Sequence, residues 1–264
     1  MRVGVITGTG TYALPGLEGA EPVAVPTRFG DAMVARGGVG GTELLHVSRH
    51  GLGHPRLSNH VTHQANVVAL KDLGAECVLG VTVCGAVDPT VPLGSLIVFD
   101  DLHFLANRLA DGSICTLYDT PGDPLRGHWI YEGPFCEDLR AVLAEACSAA
   151  GADVRERGCY GHVDGPRFNT RAEIRSLAQA GVTAVSQTAG PETVLCGEAE
   201  LPYALLGYAT DYANGVTEVA TPVEELLRLI EASSEVFATI LNEAFPRLVR
   251  RELRPPGTIY RFEA

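Results

Sequence analysis

Four short stretches at the ends of apolar runs carry polar side chains, and three of them can hold an anion. Gly8-Thr9-Gly10 closes the apolar run at 2–7, and two glycines flanking a threonine can turn backbone N–H groups and a hydroxyl toward one small anion. Arg49-His50 follows the run at 43–48, and arginine's planar fork suits phosphate oxygens. Thr82 stands just before the tight turn Cys84-Gly85-Ala86, and Gln187-Thr188 closes the run at 183–186. Each stretch alone reads equally well as a structural turn or a surface residue. The first three, all at strand ends in one acidic chain, predict a shared phosphate pocket, because ligands of α/β sheets gather outside the carboxyl ends of the strands.

Further along, Phe168-Asn169 sets an aromatic face beside an amide, a pair able to stack on a planar base and read its edge; the alternative is a core phenylalanine and a turn asparagine. Thr210-Asp211 ends another apolar run, where a carboxylate is a cap, an ion-pair partner or a catalytic acid. His46, His50 and His54 have the spacing of metal ligands on a helix, but "ELLHVSRHG" reads as a strand ending in glycine, so no metal is expected. The cysteines at 77, 84, 115, 136, 147, 159 and 196 form an odd set without C-x-x-C spacing, which favours neither zinc nor a disulfide framework. A dinucleotide fingerprint needs a helix opening at the glycine loop. Here Leu14-Pro15-Gly16 follows, and no long amphipathic helix starts.

These residues need a sheet to carry them. Apolar, partly β-branched runs at 2–7, 43–48, 76–82, 95–99, 183–186 and 203–209 read as buried strands. Helical patterns lie between. One places Val61, Ala65, Val68 and Leu73 on a face and closes on Gly74; another spans about 136–150 and ends at Gly151. Pro191 is expected to open a third helix. Thr170-Arg-Ala-Glu173 and Thr221-Pro-Val-Glu224 both match the capping-box pattern, predicting helices from about 171 and 222. The last should bury Val223, Leu226, Leu227, Ile230, Phe237 and Leu241 as one stripe, and the tail "RPPGTIYRFEA" reads as irregular, with aromatic residues available to a neighbouring subunit.

At 264 residues and 46% apolar the chain can bury one large core, so a single α/β domain over 1–264 is expected. Its 20 Lys+Arg against 32 Asp+Glu, a net charge of −12, argue against a nucleic-acid surface. No apolar run has the roughly 18 residues that span a bilayer, and no secretory signal is evident. A soluble, cytoplasmic protein is expected.

The ordered series GTG, SRHG, TxCG, GPRFNTRAE, QT-x-x-PE and ATDY closely resembles the trimeric purine nucleoside phosphorylases, above all the 5′-methylthioadenosine phosphorylase branch, over about residues 3–245. The resemblance implies a central mixed β-sheet flanked by helices, a homotrimer or dimer of trimers, inorganic phosphate as co-substrate, and no cofactor or metal. It places Thr9, Arg49, His50, Thr82 and Thr188 on phosphate-binding positions, Phe168, Asn169 and Asp211 on base-contacting ones, and Val83 and Gln187 beside the ribose. His128 and His54 match positions near the sugar's 5′ end. Asp211 is the implied catalytic acid, and an aspartate there fits 6-aminopurines. Three residues depart from the branch pattern: Ala213 where a second aspartate is usual, Gln187 for a methionine, and Asn169 for a serine. They leave a 6-oxopurine nucleoside as the alternative substrate. A nucleoside hydrolase, a non-catalytic nucleoside-binding protein and a dinucleotide oxidoreductase are the competing classes.

Overall fold

The computed structural model describes residues 1–11 and 14–262, so Tyr12 and Ala13 of the opening turn and the last two residues of the tail lie outside it. The first half runs β1 (Arg2–Thr7), β2 (Val23–Thr27), β3 (Gly30–Val39), β4 (Thr42–Ser48), α1 (His63–Asp72), β5 (Cys77–Ala86), β6 (Leu96–Val98), β7 (Asp101–His103) and β8 (Gly127–Ile130). The second half runs α2 (Glu137–Ala149), β9 (Val154–Arg155), β10 (Cys159–His162), α3 (Arg171–Gln179), β11 (Val182–Ser186), α4 (Ala189–Glu198), β12 (Tyr203–Tyr212), α5 (Val223–Leu248) and β13 (Thr258–Arg261).

Eleven strands make one mixed sheet in the order β2-β3-β4-β1-β5-β11-β10-β7, with β12 on β5 and β6, and β9 beside β6. β5 is the branch point. Its first residues pair in parallel with β1, at Val3↔Cys77 through Ile6↔Gly80, and β12 lies parallel along most of its length. Its far end pairs antiparallel with β11, at Val185↔Gly85 and Ala184↔Ala86. β11 therefore runs back along β5, and its carboxyl end arrives beside Thr82 rather than beyond Ala86. All but one of the ten residues of β5 are buried, which suits a strand covered on both faces.

Helices α1 and α4 cover one face of the sheet and α2 and α5 the other, each over its own apolar cluster. Burying a leucine or phenylalanine fully contributes about 1.5–3 kcal/mol against about 0–1 kcal/mol for an exposed ion pair. Side chains such as Leu70, Phe99, Phe237 and Phe245 therefore hold the layers together.

The capping box at Thr170 is complete, with the Thr170 side chain accepting from the Glu173 N–H and the Glu173 carboxylate accepting from the Thr170 N–H. The one expected at Thr221 is not formed. Pro222 is the N-cap of α5, and the Thr221 hydroxyl accepts instead from the Tyr212 N–H at 3.0 Å, tying the helix entry to the end of β12. Val223 and Leu227, expected in the buried stripe, are exposed, while Leu229, Phe237, Ile240, Leu241 and Phe245 point inward. In α1 the buried set is Ala65, Asn66, Val67, Ala69 and Leu70 with His63, because α1 touches both α4 and β3; Val61 precedes the helix. α4 starts two residues before Pro191. The tail is not irregular throughout: β13 pairs with β8 of the same chain, and Ile259 is buried. No helix among the described residues is long and apolar enough to cross a membrane.

Candidate functional site

A cavity of about 300 Å³ opens where β1, β4, β5, β11 and β12 bring their functional ends together. Thr9, Arg49, His50, His54, Thr82, Val83, Phe168, Asn169, Gln187, Thr188 and Asp211 all line it. His128 does not. It lies on β8 opposite Tyr260, its ring 5.4 Å from that of Phe262. The expectation of a 5′-end position therefore has no counterpart in the cavity of its own chain.

The opening glycines are explained by what surrounds them. A Cβ at Gly8 would collide with Arg49 Nη1. Gly10 has φ +86°, and a Cβ there would come within 2.9 Å of the Ile230 carbonyl oxygen on α5. The loop is thus pressed between a guanidinium and a helix, which leaves Thr9 at the cavity edge. The β2–β3 hairpin, not a helix, follows within about a dozen residues, so a dinucleotide cradle is not built.

Arg49 corrects a simple expectation. Its fork does not face the cavity as a free phosphate clamp: Nε and Nη2 donate to the Glu192 carboxylate at 2.6 and 2.8 Å, and Nη1 donates to the Val81 carbonyl at 2.8 Å. Nη2 also donates to the Ile6 carbonyl at 3.4 Å. Tyr203 completes the cluster by donating its hydroxyl to Glu192 at 3.1 Å. Of the five guanidinium hydrogens, one on Nη1 is left for a ligand. The ion pair keeps Arg49 charged, the Glu192 carboxylate outweighing the burial that opposes it.

His50, by contrast, carries no charge. Burial, aided by the neighbouring Arg49 charge, lowers its pKa to about 4. Its Nδ1 donates to the Arg56 carbonyl at 2.8 Å, which leaves Nε2 with its lone pair. The ring stacks on His54 at 4.2 Å. His46 turns into the core and meets the Thr7 hydroxyl at 2.8 Å, so the three evenly spaced histidines do not converge on one point. The wall thus presents threonine hydroxyls beside a guanidinium already paired with Glu192, rather than a cluster of free positive charge.

Two of those hydroxyls are set by the β5–β11 crossing. The Thr82 hydroxyl donates to the Val83 carbonyl at 3.0 Å and lies 3.3 Å from that of Ser186. Thr188 is the N-cap residue of α4, yet its side chain makes no capping bond. The first N–H groups of that helix, at Thr188 and Ala189, donate to the Tyr160 hydroxyl at 3.4 and 3.1 Å.

Asp211, Phe168 and Asn169 bring other chemistry to the same cavity. A bulge interrupts the β12–β5 register between Ala209 and Asp211, and the unpaired Thr210 between them is buried. Such a bulge re-aims the following side chain. Burial raises the Asp211 pKa above the ordinary carboxylate value, opposed by the Thr210 hydroxyl donating at 2.9 Å. Thr210 has a single hydroxyl proton within reach of both Asp211 and the Cys84 carbonyl, the latter at 3.4 Å. Phe168 is 63% exposed, so it is no core phenylalanine and offers an open ring face. The Asn169 amide donates to Glu173 at 3.2 Å, and its backbone carbonyl accepts from the Asn214 amide at 2.7 Å.

Several contributors escaped sequence reading. Glu192 closes the QT-x-x-PE segment but was given no role, and Tyr203, like Glu192 far from Arg49 in the chain, carries no local signal. Ser58, on a short 3₁₀ turn, hydrogen-bonds Gln187, and Leu226 and Ile230 of α5 give the cavity an apolar side. The helical periodicity that placed Leu226 and Ile230 in one stripe held the only clue to the last two.

The described family Phosphorylase superfamily matches residues 2–246. A 6-oxopurine nucleoside phosphorylase of Pyrococcus furiosus is 30% identical over 258 residues, covering 96% of this chain and 95% of that one. An S-methyl-5′-thioadenosine phosphorylase of Geobacter sulfurreducens is 29% identical over 264 residues, covering 98% and 90%. Among solved structures, a methylthioadenosine phosphorylase from Schistosoma mansoni in complex with adenine superposes with a TM-score of 0.83 at 28% identity, covering 96% of this chain and 93% of that one. With its mixed sheet, its cavity at the strand ends and these likenesses over nearly its whole length, the chain belongs to the phosphorylase superfamily.

Proposed function

We propose that this chain cleaves the N-glycosidic bond of a purine nucleoside with inorganic phosphate, releasing the free base and a ribose 1-phosphate ester. The observation that carries the reading is one cavity lined both by a burial-raised acid, Asp211, and by the hydroxyl-bearing residues Thr9, Thr82 and Thr188 with Arg49. Breaking this bond builds positive charge on the sugar and negative charge on the departing base, so a catalyst must stabilise both ends.

Thr9, Thr82 and Thr188 would hold phosphate oxygens beneath the anomeric carbon, with the remaining Nη1 hydrogen of Arg49. His50 Nε2, bearing a lone pair, would accept a hydrogen bond from the hydroxyl of hydrogenphosphate, which keeps its proton. Such holding turns a collision into an oriented approach, with phosphate as both nucleophile and counter-charge. At the other end a neutral Asp211 would donate to N7 of the leaving purine, while Phe168 covers the ring and Val83 and Gln187 border the ribose. No metal or cofactor takes part.

The favoured substrate is a 5′-modified 6-aminopurine nucleoside of the methylthioadenosine kind. A protonated Asp211 donates to N7 through one oxygen and accepts from an exocyclic amine through the other. The 5′ substituent would lie against Leu226, Ile230 and His54. Ala213 favours the second reading, a 6-oxopurine nucleoside, because it leaves no second carboxylate for an amine. We further assign the chain to a cytoplasmic homotrimer, in which His128 of one copy serves the 5′ end in a neighbouring cavity. The test is base release, with and without phosphate, across nucleosides varied at purine position 6 and sugar position 5′.

A further inference from the structure

We infer that Ser58 and Gln187 form a hydroxyl reader, so that the enzyme selects a sugar with an intact vicinal diol, a ribonucleoside over its 2′-deoxy counterpart. The inference rests on the phosphorylase reading for placing the sugar beside Gln187. The Ser58 hydroxyl donates to Gln187 Oε1 at 2.9 Å, and Gln187 Nε2 donates to the Arg167 carbonyl at 3.1 Å. The amide is held from both ends. Turning it over would set its oxygen against the Arg167 carbonyl, two acceptors face to face, so its orientation is fixed.

That orientation decides what is left for a ligand. A primary amide has two donor hydrogens and two acceptor lone pairs, and each partner takes one of them. One Nε2 hydrogen and one Oε1 lone pair remain, together with the lone pairs of the Ser58 hydroxyl. A hydroxyl group both donates and accepts, so this wall matches a pair of them, whereas a thioether or alkyl side chain would match none. The backbone is shaped for it as well: a Cβ at Gly165 would collide with both Gln187 Oε1 and Ser58 Oγ. Ser58 and Gln187 both line the main cavity and a neighbouring one of about 220 Å³, so both border the ligand space.

The experiment compares kcat/KM for adenosine or inosine, whichever is cleaved, with that for its 2′-deoxy form. Leaving such a partly buried polar group without its partner costs enough to predict a preference for the ribonucleoside of about 10–100-fold in the unaltered protein. Gln187→Met should narrow that ratio by about tenfold while phosphate KM stays within about twofold; Ser58→Ala, which keeps the Arg167 bond, should narrow it less. A ratio unchanged in both variants overturns the inference. Calorimetric binding of the two nucleosides to the unaltered protein needs neither turnover nor a folded variant, and equal affinities also overturn it. Ribose-selective binding without phosphate-dependent cleavage would refute the phosphorylase reading and leave the hydroxyl reader supported.

Discussion

Arg49 and Glu192, 143 positions apart, meet as a bidentate pair in which each residue is about 1% exposed. The pair joins the end of β4 to the first turn of α4 and so fixes the distance between the Arg49 and Thr188 edges of the cavity. It also cancels the only guanidinium charge on the cavity wall among the described residues.

Removing one partner leaves the other buried and uncompensated. Arg49→Ala should lower stability by about 3–5 kcal/mol, the usual cost of breaking a buried pair. The double variant Arg49→Met with Glu192→Leu should recover much of that loss yet still raise phosphate KM by at least about tenfold. Urea denaturation and phosphate titration check the two parts, and a phosphate KM unchanged in the double variant would remove Arg49 from the anion site.

Asp211→Ala should lower turnover by at least about a hundredfold, the scale of a positioned acid. Asp211→Asn keeps the shape and can donate to O6, so it should move the preference toward 6-oxopurines. Base release measured for each variant decides the point, and near-normal turnover in Asp211→Ala would exclude the acid role.

Stability should fall on mild acidification. Burial lowers the pKa of His46 and His50 to about 4 and of His63 and His162 to about 3, against an ordinary 6.5. Below about pH 6.5 the unfolded chain takes up protons that the native state refuses, so this stabilisation is complete above that value and is lost as the pH drops toward the folded pKa values. Asp211 acts with the opposite sign: its raised pKa stabilises the fold below the ordinary carboxylate value, and that contribution disappears as the pH rises through the raised one. The urea midpoint should therefore decline between about pH 6.5 and 5, where most carboxylates are still ionised. The slope should flatten in His63→Gln, and a level midpoint in the unaltered protein would contradict the account.

The two Thr-x-x-Glu segments offer a local contrast. Thr170→Ala should cost about 1 kcal/mol through loss of the cap. Glu224→Ala should change stability by less than about 0.5 kcal/mol, since no capping box forms at Thr221. Equal losses in a denaturation experiment would show that the boxes do not differ.

That contrast shows what sequence conveys and what it does not. Short-range rules located β1, β4 and α2 to within a residue or so and found the cap at Thr170, because apolar periodicity and hydrogen bonds between near neighbours act within a few residues. Thr221 has the same pattern, but the Tyr212 amide claims its hydroxyl. The β2–β3 hairpin went unseen since β2 carries a proline, β3 carries glycines and both are partly exposed. The cavity residues were found by type at strand ends and by resemblance, whereas Glu192, Tyr203 and Ser58 matter through partners distant in sequence. Only the antiparallel pairing of β11 with β5 shows that Ser186 reaches Thr82 and that Gln187 and Thr188 share its cavity.

The most direct test of the central claim is to follow free purine and sugar phosphate together, with methylthioadenosine, adenosine and inosine, in buffers with and without inorganic phosphate. The account predicts that base appears only when phosphate is present, in equal amount with a ribose 1-phosphate ester, and fastest from the 5′-thio compound. Base released at the same rate without phosphate, or no release from any purine nucleoside, would contradict it.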